Sequence, residues 1–204
     1  MRTNVYIDGF NLYYGAVKGT PHRWLDLARL CALLLPSDTI QRIRYYTATV
    51  RPRPGDPGQA HRQAVYLRAL RTIPNLSIHE GHFLSHVVAM PLAGDPGRMV
   101  KVIKSEEKGS DVNLASHLLR DGFVDDFDVA VVVTNDSDLL EPVRIVQRDL
   151  GKPVGILNPQ RYPSAVLQRE ARFFKSIRGS AVARCQFPEQ LRDARGTFRK
   201  PAGW

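Results

Sequence analysis

The sequence predicts an α/β fold, a mainly parallel sheet with helices packed on both faces. Three observations carry this expectation. Val129–Val133 is four valines and an alanine with no polar face, the mark of a strand buried on both sides. Asn4–Ile7 is a second short apolar run, and it ends at the turn-forming pair Asp8-Gly9. Segments of helical spacing alternate with strand-length segments along most of the chain, a pattern that gives right-handed βαβ units.

Taken in order, Asn4–Ile7 reads as a buried strand, and Asn11–Val17 as a helix start with Asn11 as its cap. Trp24–Leu35 is an apolar helix stopped by Pro36. Thr39–Val50 alternates apolar and polar side chains, as a strand does. Arg51–Gly58, rich in proline and glycine, is a loop, and Gln59–Arg71 is a helix with Ala64, Leu67 and Leu70 on one face. Leu76–His82 is a third strand, extended by Phe83–Met90 as a hairpin whose return is Met99–Lys104. Ser110–Arg120 is a helix, with Val112, Ala115, Leu118 and Leu119 on one side. After the valine strand come a helix over Leu139–Leu150, a strand over Val154–Leu157, a helix over Ser164–Ala171 and a last strand over Phe173–Ile177. Periodicity is then lost. The expected organisation is a domain over residues 1–178 and a basic C-terminal tail, 179–204, packed on it or extending from it.

Composition narrows the function. With 43% hydrophobic residues in 204 the chain can bury a core. No apolar run approaches the ~18 residues that span a bilayer, and Met1–Ile7 lacks the features of a signal peptide. Cys31 and Cys185 make neither a disulfide framework nor a zinc site, so a reducing cytoplasm is the expected compartment. The net charge is +9, and it is concentrated. From Arg172 to Trp204 eight Lys or Arg face only Glu189 and Asp193, so this stretch carries +6 of it. Such clustering favours a polyanion, and Arg184, Arg192, Arg195, Arg199 and Lys200 are the expected nucleic-acid contacts. Phe173, Phe174, Phe187, Phe198 and Trp204 stand beside them and are candidates for stacking on unpaired bases.

In an open parallel sheet, ligands bind beyond the carboxyl ends of the strands, where the strand order reverses. Acidic residues sit at just such places: Asp8 after the first strand, Asp111 at a helix start, Asp136 and Asp138 after the valine strand. Singly, each has a bland reading, since Asp111 and Asp138 would serve as helix caps and Asp8 as a turn residue. Together they read as a metal site. Carboxylates in one cleft repel one another, a divalent cation relieves the repulsion, and oxygen-only ligands select Mg2+ or Mn2+. Such an ion polarises a phosphoryl oxygen and activates water. Asn11 is then a candidate to hold the metal-bound water, Thr134 and Ser137 to orient carboxylates, and Lys108 to contact phosphate.

Three segments carry a resemblance. Val5-Tyr6-Ile7-Asp8-Gly9-Phe10-Asn11-Leu12, Lys108-Gly109-Ser110-Asp111-Val112-Asn113-Leu114-Ala115 and Val133-Thr134-Asn135-Asp136-Ser137-Asp138-Leu139-Leu140-Glu141-Pro142-Val143 resemble, in order and spacing, the motifs of the NYN-domain family, a branch of the PIN-like ribonucleases. The match covers about residues 3–160 and implies a Rossmann-like, three-layer PIN-like domain. It also implies a Mg2+ or Mn2+ site and nuclease activity, with RNA, single-stranded or structured, as partner. It carries Asp8, Asp111, Asp136 and Asp138 over as the catalytic metal ligands and Asn11 as their polar companion. Asn135 departs from the family's usual glycine, and Asn tolerates the left-handed torsion a tight turn there would need.

Other enzyme classes fit less well. A haloacid-dehalogenase-type phosphatase needs a second Asp where this chain has Phe10, and the Asp8–Tyr13 turn lacks the Gly-x-Gly-x-x-Gly of dinucleotide binding. No serine or cysteine triad signature is evident. The remaining alternatives are a non-catalytic nucleic-acid-binding module of the same fold and a toxin-like nuclease controlled by a partner. All four aspartates are present, which favours an enzyme; a homodimer is left open.

Overall fold

The computed structural model describes residues 1–52 and 55–204; Arg53 and Pro54 of the expected proline-rich loop lie outside the described residues. At its centre is β1 (Arg2–Asp8), flanked in parallel by β2 (Thr39–Ala48) and β5 (Val129–Val133). Beyond β2 lie β3 (Leu76–Leu92), parallel, and β4 (Asp95–Lys108), antiparallel; beyond β5 lie β6 (Val154–Asn158) and β7 (Phe173–Ser176), both parallel. The order is β4-β3-β2-β1-β5-β6-β7, so the chain builds outward from β1 on one side and then restarts beside it with β5. The reversal point lies between the carboxyl ends of β1 and β5.

Alternation along the strands fills two cores. Val5, Ile7, Val129, Val131 and Val133 face one layer of helices, and Tyr6, Ala130, Val132 and Ile156 face the other. The first layer holds α2 (Leu27–Leu34), α3 (Gln59–Leu70) and α7 (Gly179–Arg184). The second holds α4 (Ser110–Phe123) and α5 (Leu140–Arg148). A short α6 (Ala165–Glu170) packs against α5, where Glu170 receives Arg144 and Arg148. A side chain at Gly155 would collide with the Phe173 ring, its Cβ falling 2.0 Å from Cζ, so this glycine lets β7 lie flat on β6.

Several local readings are corrected. The first helix, α1 (Gly9–Leu12), is capped by Asp8, not Asn11, and runs on as a π-helical turn over Tyr13–Val17. Ala64 is exposed, while Leu67, Ala69 and Leu70 form the buried stripe of α3. The hairpin β3–β4 is longer than its hydrophobic pattern suggested. Beyond Gly81, β3 leaves β2 and pairs only with β4, exposing Leu84, Val87, Met90, Met99 and Ile103.

Residues 179–204 are not a loose extension. They form α7 and a hairpin of β8 (Gln190–Asp193) and β9 (Gly196–Arg199), and insert Val182, Cys185, Phe187 and Phe198 into the first core. Arg68 of α3 holds the hairpin through two 2.7 Å hydrogen bonds to Asp193 and stacks 4.2 Å above Phe198.

Across the sheet a buried polar network ties β1, β2 and α4. Arg44 donates to both oxygens of Asp121 at 2.9 and 3.1 Å, and the Tyr6 hydroxyl donates to the same carboxylate at 2.9 Å. The rim of this network is the imidazole pair His79 and His117, whose ring centres lie 4.4 Å apart. Desolvation and the neighbouring His117 and Arg44 charges push His79 down to about 4, so it is neutral at physiological pH.

Candidate active site

The site lies at the reversal point, where β1 and β5 end side by side. Asp8 is the last residue of β1 and only 5% exposed. Its Oδ1 accepts from the Asn11 backbone N–H at 2.9 Å, and its Oδ2 accepts from the Thr134 hydroxyl at 3.2 Å. The same hydroxyl oxygen accepts from the Asp136 N–H at 3.0 Å, so Thr134 ties Asp8 to the loop after β5. Asp136 caps the 3₁₀ turn Ser137–Leu139 by accepting from the Asp138 N–H at 3.0 Å. Asp8 and Asp136 therefore do have the capping duty that Asp offers, but it leaves each carboxylate able to take a further partner.

Gly9 makes the turn possible. A Cβ there would stand 2.5 Å from the Tyr46 carbonyl oxygen and 2.6 Å from the Tyr45 ring, so only glycine lets α1 leave β1 this close to β2.

Burial, opposed by the Asn11 hydrogen bond, with Asp111 and Asp136 adding repulsion, pushes Asp8 up to about 6. Asp111 is raised as well, by desolvation and then by Asp136, Glu107 and Asp138. The structure ties Asp8 to Asp136 through Thr134 and leaves Asp111 and Asp138 in the same charged neighbourhood. It adds Glu107, which accepts from the Ser110 N–H at 3.1 Å and hydroxyl at 2.6 Å at the start of α4. Gly81 makes room for this glutamate, since a Cβ there would lie 2.3 Å from its Oε1. Asp111 itself caps nothing; Gly109, at φ 97°, holds the N-cap position. Asp111 and Asp138 are exposed and make no side-chain hydrogen bond among the described residues.

Other expected members have different duties. The Asn11 side-chain oxygen accepts from the Asn135 N–H at 3.2 Å and the Gln160 amide at 3.3 Å, so it braces the loops after β5 and β6. Ser137 is exposed with no side-chain hydrogen bond among the described residues, leaving Thr134 as the orienting hydroxyl. Lys108 pairs with Glu106 at 3.3 Å. Asn135 does not use a left-handed torsion, because Asp125 is the one non-glycine with positive φ among the described residues. Its side chain instead clamps the loop after β6, donating to the Tyr162 carbonyl at 3.0 Å and accepting from the Ser164 N–H at 2.7 Å.

That loop belongs to the site. Asn11, Asn135, Gln160, Arg161 and Tyr162 line a hollow of about 250 Å³, with Tyr162 75% exposed and the Arg161 guanidinium 5.4 Å from its ring centre. The signal that would have found it was position alone: it comes directly after β6, at the same sheet edge as Asp8 and Asp136.

The basic residues of the C-terminal segment are on the surface. Arg184, Arg192, Arg195 and Arg199 are exposed and Lys200 is partly covered; none forms an ion pair among the described residues. The neighbouring aromatics pack inward and do not form a stacking surface beside these arginines. Phe187 and Phe198 are 7% and 9% exposed, Phe173 and Phe174 pack on the two cores, and Trp204 lies against Tyr66.

As the side chains stand, no three His, Cys, Asp or Glu groups among the described residues converge within reach of one ion. The donor chemistry nevertheless fits a hard cation: every candidate ligand is a carboxylate, and burial together with mutual repulsion raises both Asp8 and Asp111.

Comparison with known proteins identifies the family. The chain is 30% identical, over its whole length and 75% of the other protein, to 6-hydroxy-3-succinoylpyridine 3-monooxygenase HspA of Pseudomonas putida. Its fold is similar to that of a protein of unknown function, VPA0982 of Vibrio parahaemolyticus, with a TM-score of 0.58 at 16% identity, covering 87% of this chain and 93% of that one. The NYN-domain model matches residues 2–177, a span that holds the entire acidic cluster, and the chain belongs to the NYN-domain family.

Proposed function

We propose that this protein is a metal-dependent nuclease that hydrolyses RNA phosphodiester bonds. One observation carries the reading: Asp8 and Asp136 are tied together through Thr134 at the β1–β5 reversal point, and burial, with repulsion from the neighbouring aspartates, raises Asp8 and Asp111. Family membership supports nuclease chemistry at the coarse level.

In this reading the four aspartates hold Mg2+ or Mn2+, with Asp111 and Asp138 free to turn toward the fixed Asp8 and Asp136. Bound there, the ion would polarise the phosphoryl oxygen and lower the pKa of a water. The protein's own residues do the rest. Thr134 keeps Asp8 and Asp136 in register, and Asn11 and Asn135 brace the loop that carries Arg161 and Tyr162. Arg161 offers a guanidinium to a phosphate and Tyr162 an exposed ring to an unpaired base. The exposed arginines of the C-terminal segment extend the basic surface.

The test is a cleavage assay on a mixed RNA pool with Mg2+, Mn2+ or EDTA, using wild type and Asp136→Asn. Metal-dependent cleavage by wild type alone is expected; cleavage in EDTA or undiminished cleavage by the variant would reject the proposal. HspA motivates a second reading, because that relative, similar over the whole chain, is named for oxygenation of a hydroxylated pyridine. Under it the chain leaves RNA intact with either metal and consumes a hydroxypyridine substrate.

A further inference from the structure

A second site lies beside the acidic cluster, on the other side of Gly9. It is a cavity of about 440 Å³ between α1 with its π-helical turn, the β2 end and α3. That volume is in the range that encloses a small ligand. Its wall is aromatic, with Tyr13, Tyr45, Tyr66 and Trp204 among the lining side chains. It is also cationic: Lys18, Arg23 and Arg62 line it against a single carboxylate, Asp56, which Arg62 already engages.

Arg23 is the informative residue. Its Nε is buried and has no hydrogen-bond partner among the described residues. The residue as a whole is half-buried, so the one buried N–H is the donor that stands out, since buried donors are almost always satisfied. The tyrosines do not satisfy it, and Tyr66 spends its hydroxyl on the Leu25 carbonyl at 2.9 Å. Burial meanwhile holds the Tyr45 and Tyr66 phenols well above their ordinary pKa, so both are neutral and neither supplies an anion. The aromatic wall suits a planar group and the Arg23 donor suits an anion.

We infer that this cavity binds a single aromatic ring carrying an anionic group, with Arg23 taking the anion and the tyrosine and tryptophan rings enclosing the ring. Two sources share that chemistry: a nucleotide with its phosphate, and a free aromatic carboxylate. The inference concerns binding alone and depends on neither reading of the reaction.

The experiment uses the full chain in EDTA, so that no catalysis intervenes. Uridine and adenosine monophosphates form one arm, and nicotinate and 4-hydroxybenzoate the other, followed by tryptophan fluorescence and by calorimetry. Saturable one-to-one binding in either arm is expected, and the arm that binds identifies the source. Arg23→Gln should weaken it about ten-fold or more, the effect of losing one charge-assisted hydrogen bond. Uridine and benzamide, which lack the anion, should bind wild type and Arg23→Gln alike. Because Arg23→Gln removes a packed side chain, Lys18→Gln provides an exposed counterpart, with a smaller loss of affinity. No saturable binding by wild type at millimolar ligand overturns the inference, as does an Arg23→Gln protein that is folded and binds both arms undiminished.

Discussion

Replacing Asp8 by Asn should make the metal-free protein more stable while removing its activity. Asp8 is buried, and its carboxyl is pushed up to about 6 against 3.8 for an unperturbed one. A difference of about 2 in pKa is worth about 3 kcal/mol at 1.36 kcal/mol per unit. The folded-state pKa is the raised one, so the folded protein holds its proton more tightly than the unfolded chain. The penalty is therefore absent below about pH 4, grows between about 4 and 6, and is complete above about 6. Asn keeps an acceptor for the Asn11 N–H but places an amide where Thr134 now donates, which offsets about 1 kcal/mol. The net expectation is a gain of about 2 kcal/mol at pH 7.5, turning into a loss of up to about 1 kcal/mol at pH 4, where only the lost hydrogen bond remains. Urea denaturation of both proteins in EDTA across that pH range measures it. A difference that does not change with pH would refute the electrostatic argument, and a destabilised variant at pH 7.5 would show that the hydrogen bonds outweigh the burial of charge. Adding Mg2+ should then stabilise wild type more than Asp8→Asn, since only wild type keeps the full ligand set.

Other perturbations separate architecture from chemistry. Thr134→Val breaks the tie between Asp8 and the Asp136 N–H, and should lower cleavage about 10- to 100-fold with the fold retained by circular dichroism; full activity would show that the carboxylates hold their places unaided. Asp121→Asn leaves Arg44 buried without its counter-charge and should cost about 3–5 kcal/mol in urea unfolding; a loss under about 1 kcal/mol would mean that the neighbouring imidazoles or water absorb the charge. Replacing Arg192, Arg195 and Arg199 together with Gln should reduce the salt dependence of single-stranded RNA binding, log K against log salt, by about 2, from about 0.7 per lost phosphate contact; an unchanged slope would place RNA elsewhere. Deleting the segment from Ser180 onward is not an equivalent test. It strips Val182, Cys185, Phe187 and Phe198 from the core, and should lower the melting temperature steeply or prevent folding.

Whatever depends on local pattern was legible in the sequence. The five-residue run Val129–Val133 could only be a strand buried on both faces, and the aspartates stand out because they sit at the ends of strands. Features that depend on distant neighbours stayed hidden. Glu107 stands in the same charged run as Lys108, and nothing local distinguishes it; its place is set by the absent side chain of Gly81, across the β3–β4 pairing. Asn11 looked like a cap because it precedes a helical stretch, yet Asp8 takes that role and Asn11 braces another loop. The C-terminal segment looked unstructured because its apolar residues are sparse. They are spaced for a hairpin whose one buried ring, Phe198, relies on Arg68 of α3 to cover it.

The tie between Thr134 and Asp8 spans 126 residues of sequence. A bond of that span cannot form while only the first half of the chain has left the ribosome, so the acidic cluster is incomplete throughout the synthesis of β1 to β4. Until β5 docks against β1, Asp8 lacks both the Thr134 hydroxyl and the neighbouring carboxylates of the loop after β5. The order of the strands thus sets the timing: the cluster is assembled in the step that closes the centre of the sheet.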